Sequence, residues 1–268
     1  MVSKNGSSSR AIPLAKQIEN IRNGNYFEPN FWGINKPGMS ADDQFEGEEL
    51  EEVKAIWRVL VGNCIDAATI LDQKKFHKQL AGRFLEPIMM QKMVLTATDW
   101  KNFFWLRNHD AAQPEFNYLA HLMETALNNS EPVLLEPGQW HLPYVNQQFV
   151  AGKQVFFDER GDVIDLETAK KISMSCCAQT SYRKHDTSVE KADDIAQKLH
   201  LDQPVRTEER SHSSPAEHQG TPIQDFTDAG VTHIKRDSKG LFSIPCSGNF
   251  RRWVQLRQLL RNHDYPEE

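Results

Sequence analysis

The chain has 268 residues and a formal net charge of −6, with 39% hydrophobic and 25% charged residues. That length buries a real core in one large domain or two small ones, and the acidic balance argues against a dedicated nucleic-acid binder. No apolar run approaches the roughly 20 residues of a membrane helix, the first residues MVSKNGSSSR lack the apolar stretch of a signal peptide, and Cys64, Cys176, Cys177 and Cys246 have no zinc spacing, so they read as reduced thiols of a cytoplasmic protein.

In chain order, the Ser-rich start reads by composition as an unfolded tail. Pro13 opens a short helix with Leu14, Ile18 and Ile21 on one face, and Asn23-Gly24 stops it. Phe31 to Met39 is a structured loop. A long amphipathic helix starts near Asp42 and runs past Ile70, with Leu50, Val53, Trp57, Leu60 and Ile65 near one stripe and acidic residues crowding its first turns. A second helical stretch holds Phe76, Leu80, Phe84 and Leu85 and ends at Pro87. Asp99 caps a third, and Pro114 opens a fourth. Pro132 to Val150 is loop with a strand, and a hairpin turns around Gly161. Helices follow over about Leu166–Ser181 and Ser188–Leu199, then a loop from Val205 to Gly220, then a last helix over roughly Phe250–Leu260. The fold class is α+β, helix-rich, with a small mixed or antiparallel sheet. Residues 1–150 form a helical core, and 151–268 complete the sheet within one compact domain.

Three places carry chemistry. Ser3 to Arg10 sets Gly, small hydroxyls and an Arg before a helix, the donors a phosphate needs. Arg107 lies in the aromatic segment Trp100 to Glu115: either its stem snorkels over Trp105 or aromatic walls hold the cation for an anionic ligand. His212 to His218 sets two His and Glu217 around Pro215. The spacing is not H-E-x-x-H, so a ligand-contact or structural role outranks a metal. No G-x-S-x-G elbow is present.

In combination these places resemble the flavin-dependent thymidylate synthases. Of that family's signature R-H-R-x-x-S-x-N-E-x-S-x-R-Y, Ser3, Asn5, Ser8 and Arg10 stand in register, with Gly6 for the Glu and Ala11 for the Tyr; the Arg-His-Arg would lie upstream of Met1. The L-R-x-x-x-x-A-Q-x-E stretch is matched by Leu106, Arg107, Ala112, Gln113 and Glu115. The H-x-S-P-F-E-H flavin motif is matched by His212, Ser214, Pro215, Glu217 and His218, with Ala216 for the Phe. The flavin motif follows the signature, as in the long, permuted branch of phages and some bacteria.

The resemblance implies methylation of deoxyuridylate (dUMP) at uracil C5. Methylenetetrahydrofolate gives the carbon, and FAD reduced by NADPH gives the hydride, without a protein nucleophile. Arg107 would act at the uracil as an electrostatic catalyst. Gly6, Ser7, Ser8, Ser9, Arg10 and Arg83 would join it in binding the nucleotide. Thr96, Asn102, His212, Ser214 and Glu217 would meet the flavin. Where short members carry a His four residues after the key Arg, Ala111 stands here, and His109 is the substitute. Family members are homotetramers whose active sites lie between subunits; neither nucleic acid nor membrane is a partner. The rival reading is a truncated or split, inactive homologue that serves as an interaction protein and binds no flavin.

Overall fold

A computed structural model describes residues 2–8, 11–37, 43–182, 184–200, 214–223, 232–236 and 242–260. In chain order its strands and helices are β1 (Ser3–Gly6), α1 (Leu14–Arg22), α2 (Gly47–Gln73), α3 (Lys78–Ala81), β2 (Met93–Thr96), α4 (Lys101–Arg107), α5 (Pro114–Asn128), β3 (Asn146–Val150), β4 (Lys153–Phe157), β5 (Val163–Ile164), α6 (Leu166–Ala178), α7 (Val189–Lys198), β6 (Gly220–Pro222), β7 (Thr232–Arg236), β8 (Phe242–Ser247), β9 (Phe250–Arg251) and β10 (Trp253–Gln255). The class is α+β, and every strand pair is antiparallel among the described residues. No helix among them is long and apolar enough to cross a membrane.

The chain divides into two compact units. One gathers Met1–Ser7, Lys92–Asp99 and Val133–Glu268; the other gathers Ser8–Gln91 and Trp100–Pro132. The first seven residues and 92–99 therefore group with the C-terminal part, and the division does not fall at 150.

The second unit holds α1 to α5. Pro13 sits at the N-cap of α1 with φ −55, and Gly24 at φ +87 follows its end, the left-handed geometry that favours glycine after a helix. Leu14, Ile18 and Ile21 face Val61 and Ala68 of α2, and Leu85 and Ile88 close the cluster. Glu48 and Glu49 occupy the first turn of α2, where the helix dipole favours them. Trp57 is fixed by its indole N–H donating to the Phe27 carbonyl at 3.0 Å. The stretch holding Phe76 to Leu85 is broken: α3 spans four residues and two short 3-10 turns follow, the second with Pro87 in its first turn. Asp99 does not cap α4. Trp100 stands at the N-cap, without a capping side chain; Asp99 pairs with Arg251 at 3.5 Å instead. Pro114 opens α5 at a position where its missing N–H costs nothing.

The first unit holds all the strands with α6 and α7. Asp165 caps α6 by accepting from the Thr168 N–H at 2.7 Å, and Ser188 caps α7 by accepting from the Lys191 N–H at 3.3 Å. The β3–β4 hairpin closes on Ala151 and Gly152, both at positive φ (+49 and +77), the primed turn whose twist suits a two-residue loop. β4 pairs on with β5 beyond Gly161. Trp140, Leu142, Phe156, Ala169, Met174 and Leu256 form the main core. The segment Phe250–Leu260 is not a helix. Arg252 at φ +61 interrupts it, β9 and β10 pair elsewhere, and only Leu256–Leu259 makes a 3-10 turn.

Candidate functional site

The polar N-terminus is a strand rather than a tail, because every polar group on it that matters has a partner. Ser3 is fully buried, and its hydroxyl accepts from Gln255 Nε2 at 2.8 Å and Asn249 Nδ2 at 3.2 Å. Asn5 Nδ2 donates to the Cys177 carbonyl at 3.2 Å. The Ser7 N–H donates to the Lys92 carbonyl at 2.8 Å, and the Ser7 hydroxyl accepts from the Lys92 N–H at 3.2 Å. Buried polar groups satisfied this way hold a strand whose composition looks disordered.

β1 brings Ser3 opposite Thr96 and Gly6 opposite Met93. Thr96 Oγ1 then shares a 2.9 Å hydrogen bond with His218 Nδ1. His218 is fully buried, and burial, helped by the charge of nearby His141, pushes its pKa down to about 4. Beside it, Gln219 Nε2 donates to the Ser173 hydroxyl at 2.9 Å. Glu217 ion-pairs with Arg257, and its carbonyl accepts from Gln255. The 3-10 turn Ser214–Glu217 buries Pro215 and Ala216 and leaves Ser214 exposed. Gln255 and Arg257 are the neighbours of Glu217 that periodicity missed. The only sequence signal was their place in the segment GNFRRWVQLR.

In the other unit the Ser8 carbonyl accepts from the Ala11 N–H at 3.0 Å, turning the chain toward α1. Arg83 is exposed between the buried Gly82 and Leu85. Asn102 and Arg107 are both exposed on α4, and Arg107 is its last residue, where a cation meets the negative end of the helix dipole. In the aromatic segment the rings pack mainly on one another. Trp100, Phe103 and Phe104 pack on one another, Trp105 is 75% exposed, and among the described residues the cation–ring contacts are Lys170 on Trp140 and Lys191 on Tyr182. Arg107 and Arg83 have no ion-pair partner among the described residues. His109 Nδ1 accepts from the Ala111 N–H at 3.0 Å.

The candidate residues thus fall into three sets. Gly6, Ser7, Thr96, Ser214 and Glu217 belong to the strand-rich unit; Ser8, Arg83, Asn102 and Arg107 belong to the helical one. Ser9, Arg10 and His212 lie outside the described residues.

Nucleophilic thiol chemistry does not fit the buried pair Cys176 and Cys177. Burial, with the charge of Asp186, raises the Cys176 thiol to about 11, and burial raises Cys177 further, so neither supplies a thiolate at neutral pH. No group of three or more His, Cys, Asp or Glu with metal-binding geometry occurs among the described residues. A groove of about 590 Å³ along the hairpins is lined by Gln147, Asp158, Glu159 and Arg160, and includes no candidate residue. No protein-family model matches the chain, and neither does any curated protein or solved structure.

Proposed function

We propose that the chain is a flavin-dependent thymidylate synthase of the long, permuted branch, methylating dUMP with methylenetetrahydrofolate as carbon donor, FAD as cofactor and NADPH as reductant. The observation that carries this reading is the convergence of matched segments within one unit. Ser3 lies opposite Thr96 on paired strands, and Thr96 bonds His218 of the H-x-S-P-x-E-H motif, 122 positions later. A chance match of scattered motifs has no reason to bring these three together.

Each unit, taken by itself, offers polar side chains of the kind a flavin nucleotide takes. Ser214 and Asn102 offer an exposed hydroxyl and an exposed amide. Two buried polar atoms beside the motif, His218 Nε2 and Gln219 Oε1, lack a partner among the described residues, which is where a bound polar group would be expected. In this reading Thr96, Asn102, His212, Ser214 and Glu217 hold the flavin, which supplies the hydride chemistry when bound. Gly6, Ser7, Ser8, Ser9, Arg10 and Arg83 take the nucleotide. Arg107 stabilises the negative charge that develops on the uracil ring, a task for a cation that never deprotonates. The raised thiols of Cys176 and Cys177 agree with a route that uses no protein nucleophile. The homotetramer and its shared active sites rest on the family resemblance.

Gly6, Ala11 and Ala216 depart from the motifs, and they favour a second reading: a homologue without catalysis, retained for interaction. Incubation with 5-tritiated dUMP, methylenetetrahydrofolate, FAD and NADPH separates the two. Release of tritium to water supports the enzyme, and its absence in a chain that still retains flavin supports the second reading.

A further inference from the structure

The open groove of about 590 Å³ on the sheet of β3, β4 and β5 takes no part in the proposed reaction. Asn146, Gln147 and Gln148 of β3, Phe157 at the end of β4 and the turn residues Asp158, Glu159 and Arg160 line it. β3 is an edge strand of that sheet. Its register sets Asn146 opposite Phe157 and Gln148 opposite Val155. Two exposed amides therefore share a sheet face with a half-buried aromatic ring. A volume of this size lies within the roughly 300–1,000 Å³ of small-molecule sites.

Three polar side chains of the groove are already held in place by their neighbours. Gln147 Oε1 accepts from Gln154 Nε2 at 2.6 Å, and Gln154 is itself clamped to the N–H and the carbonyl of Trp140, both at 2.7 Å. Gln147 is thereby fixed by its oxygen and keeps its amide N–H groups to offer. Asp158 Oδ1 accepts from the Arg160 and Asp162 N–H groups, both at 2.9 Å, which leaves Oδ2 for another donor. Glu159 Oε2 accepts from the hydroxyl of Thr187, just before α7, at 3.4 Å. Groups positioned in advance lose less freedom when a ligand arrives.

We infer that this groove binds a neutral pyranose sugar of one or two rings. The charged lining, Asp158 and Glu159 against Arg160, sets two carboxylates beside one guanidinium and disfavours an anion such as phosphate. An apolar ligand would cover the amides and carboxylates without pairing them. A hydroxyl both donates and accepts. A ring with several adjacent hydroxyls therefore satisfies both kinds of group: its O–H groups donate to Asp158 and Glu159, and its oxygens accept from Gln147, Gln148 and Arg160. The C–H face of the same ring packs on Phe157. None of these residues belongs to the candidate flavin site, so the inference stands apart from the enzymatic reading.

Saturation-transfer NMR on the whole chain tests it, with glucose, galactose, N-acetylglucosamine and maltose as probes. A saturable signal from at least one of them is expected, in the millimolar range and strongest at the ring C–H protons. Glu159→Gln is expected to weaken it about tenfold, the loss of a charged acceptor, and Gln148→Ala several-fold, with the thermal midpoint unchanged in both. Lys153→Ala, on the same sheet face but outside the groove, is expected to change nothing. No saturable signal from any of the four sugars overturns the inference, as does a signal that both groove variants leave intact. Binding of free arginine or inorganic phosphate in place of the sugars overturns it also. If Glu159→Gln shifts the thermal midpoint, Gln148→Ala decides, since that side chain is exposed: undiminished binding there removes the groove from the account.

Discussion

Thr96 Oγ1 lies 2.9 Å from His218 Nδ1, and this one bond fastens the middle of the chain to its C-terminal motif. Thr96 is itself paired to Ser3 on β1, and Ser3 accepts from Gln255, next along from the strand residue Val254. The N-terminal strand, the middle strand and the C-terminal motif therefore stand or fall together.

Acid is expected to loosen this junction. The folded pKa of His218 is depressed to about 4 from an ordinary 6.5, so the unfolded chain binds the proton more readily. The stability this neutral imidazole carries is complete above about pH 6.5 and is lost as pH falls from there toward 4. The loss is at most about 3 kcal/mol. Asp165, Asp186 and Asp194 have carboxyls held below their usual range, and their contribution goes only at lower pH. Urea unfolding between pH 7.5 and 4.5 checks the point: the midpoint falls in the wild type and is markedly flatter in His218→Gln. Equal slopes would remove His218 from the account.

A turn offers a gain of the opposite sign. Ala151 holds φ +49 in the β3–β4 hairpin, next to Gly152, and an alanine there costs about 1 kcal/mol. Ala151→Asn gives the Asn-Gly pair that such turns prefer. The variant is expected to raise Tm by about 1–3 °C, read by calorimetry, with the fold unchanged.

Much of this architecture is legible in the residues, and the exceptions have physical causes. Helices α1, α2, α5, α6 and α7 announce themselves by apolar spacing and by Pro13, Pro114, Asp165 and Ser188 at their starts. The segment from Phe250 misleads, since Phe250, Val254 and the leucines beyond mimic a helical stripe. Pairing of Val254 with Thr221 and the left-handed Arg252 override it. β1 hides because its polar side chains find partners at Gln255, Asn249 and Cys177, up to 252 positions away. Motif matching names His218 and Glu217, but only tertiary contacts reveal Thr96 and Arg257 as their partners.

Arg107 is exposed at the end of α4, with no ion-pair partner among the described residues. If it stabilises charge on the uracil, Arg107→Ala is expected to cut turnover about 100-fold, roughly 3 kcal/mol. Arg107→Lys is expected to recover little, because a point charge does not replace a planar fork. Flavin retention is expected to be unchanged in both. Normal turnover of Arg107→Ala at saturating dUMP would return this residue to the surface.

The central claim is that the chain binds FAD and uses it on dUMP, and titration of the purified protein with FAD, followed by dUMP, methylenetetrahydrofolate and NADPH, addresses it most directly. The account predicts saturable FAD binding, weakened in Ser214→Ala and unchanged in Cys176→Ala, and formation of thymidylate that requires all four small molecules. A protein that leaves FAD free at every concentration tested, or binds it equally well in both variants and forms no thymidylate, would contradict it.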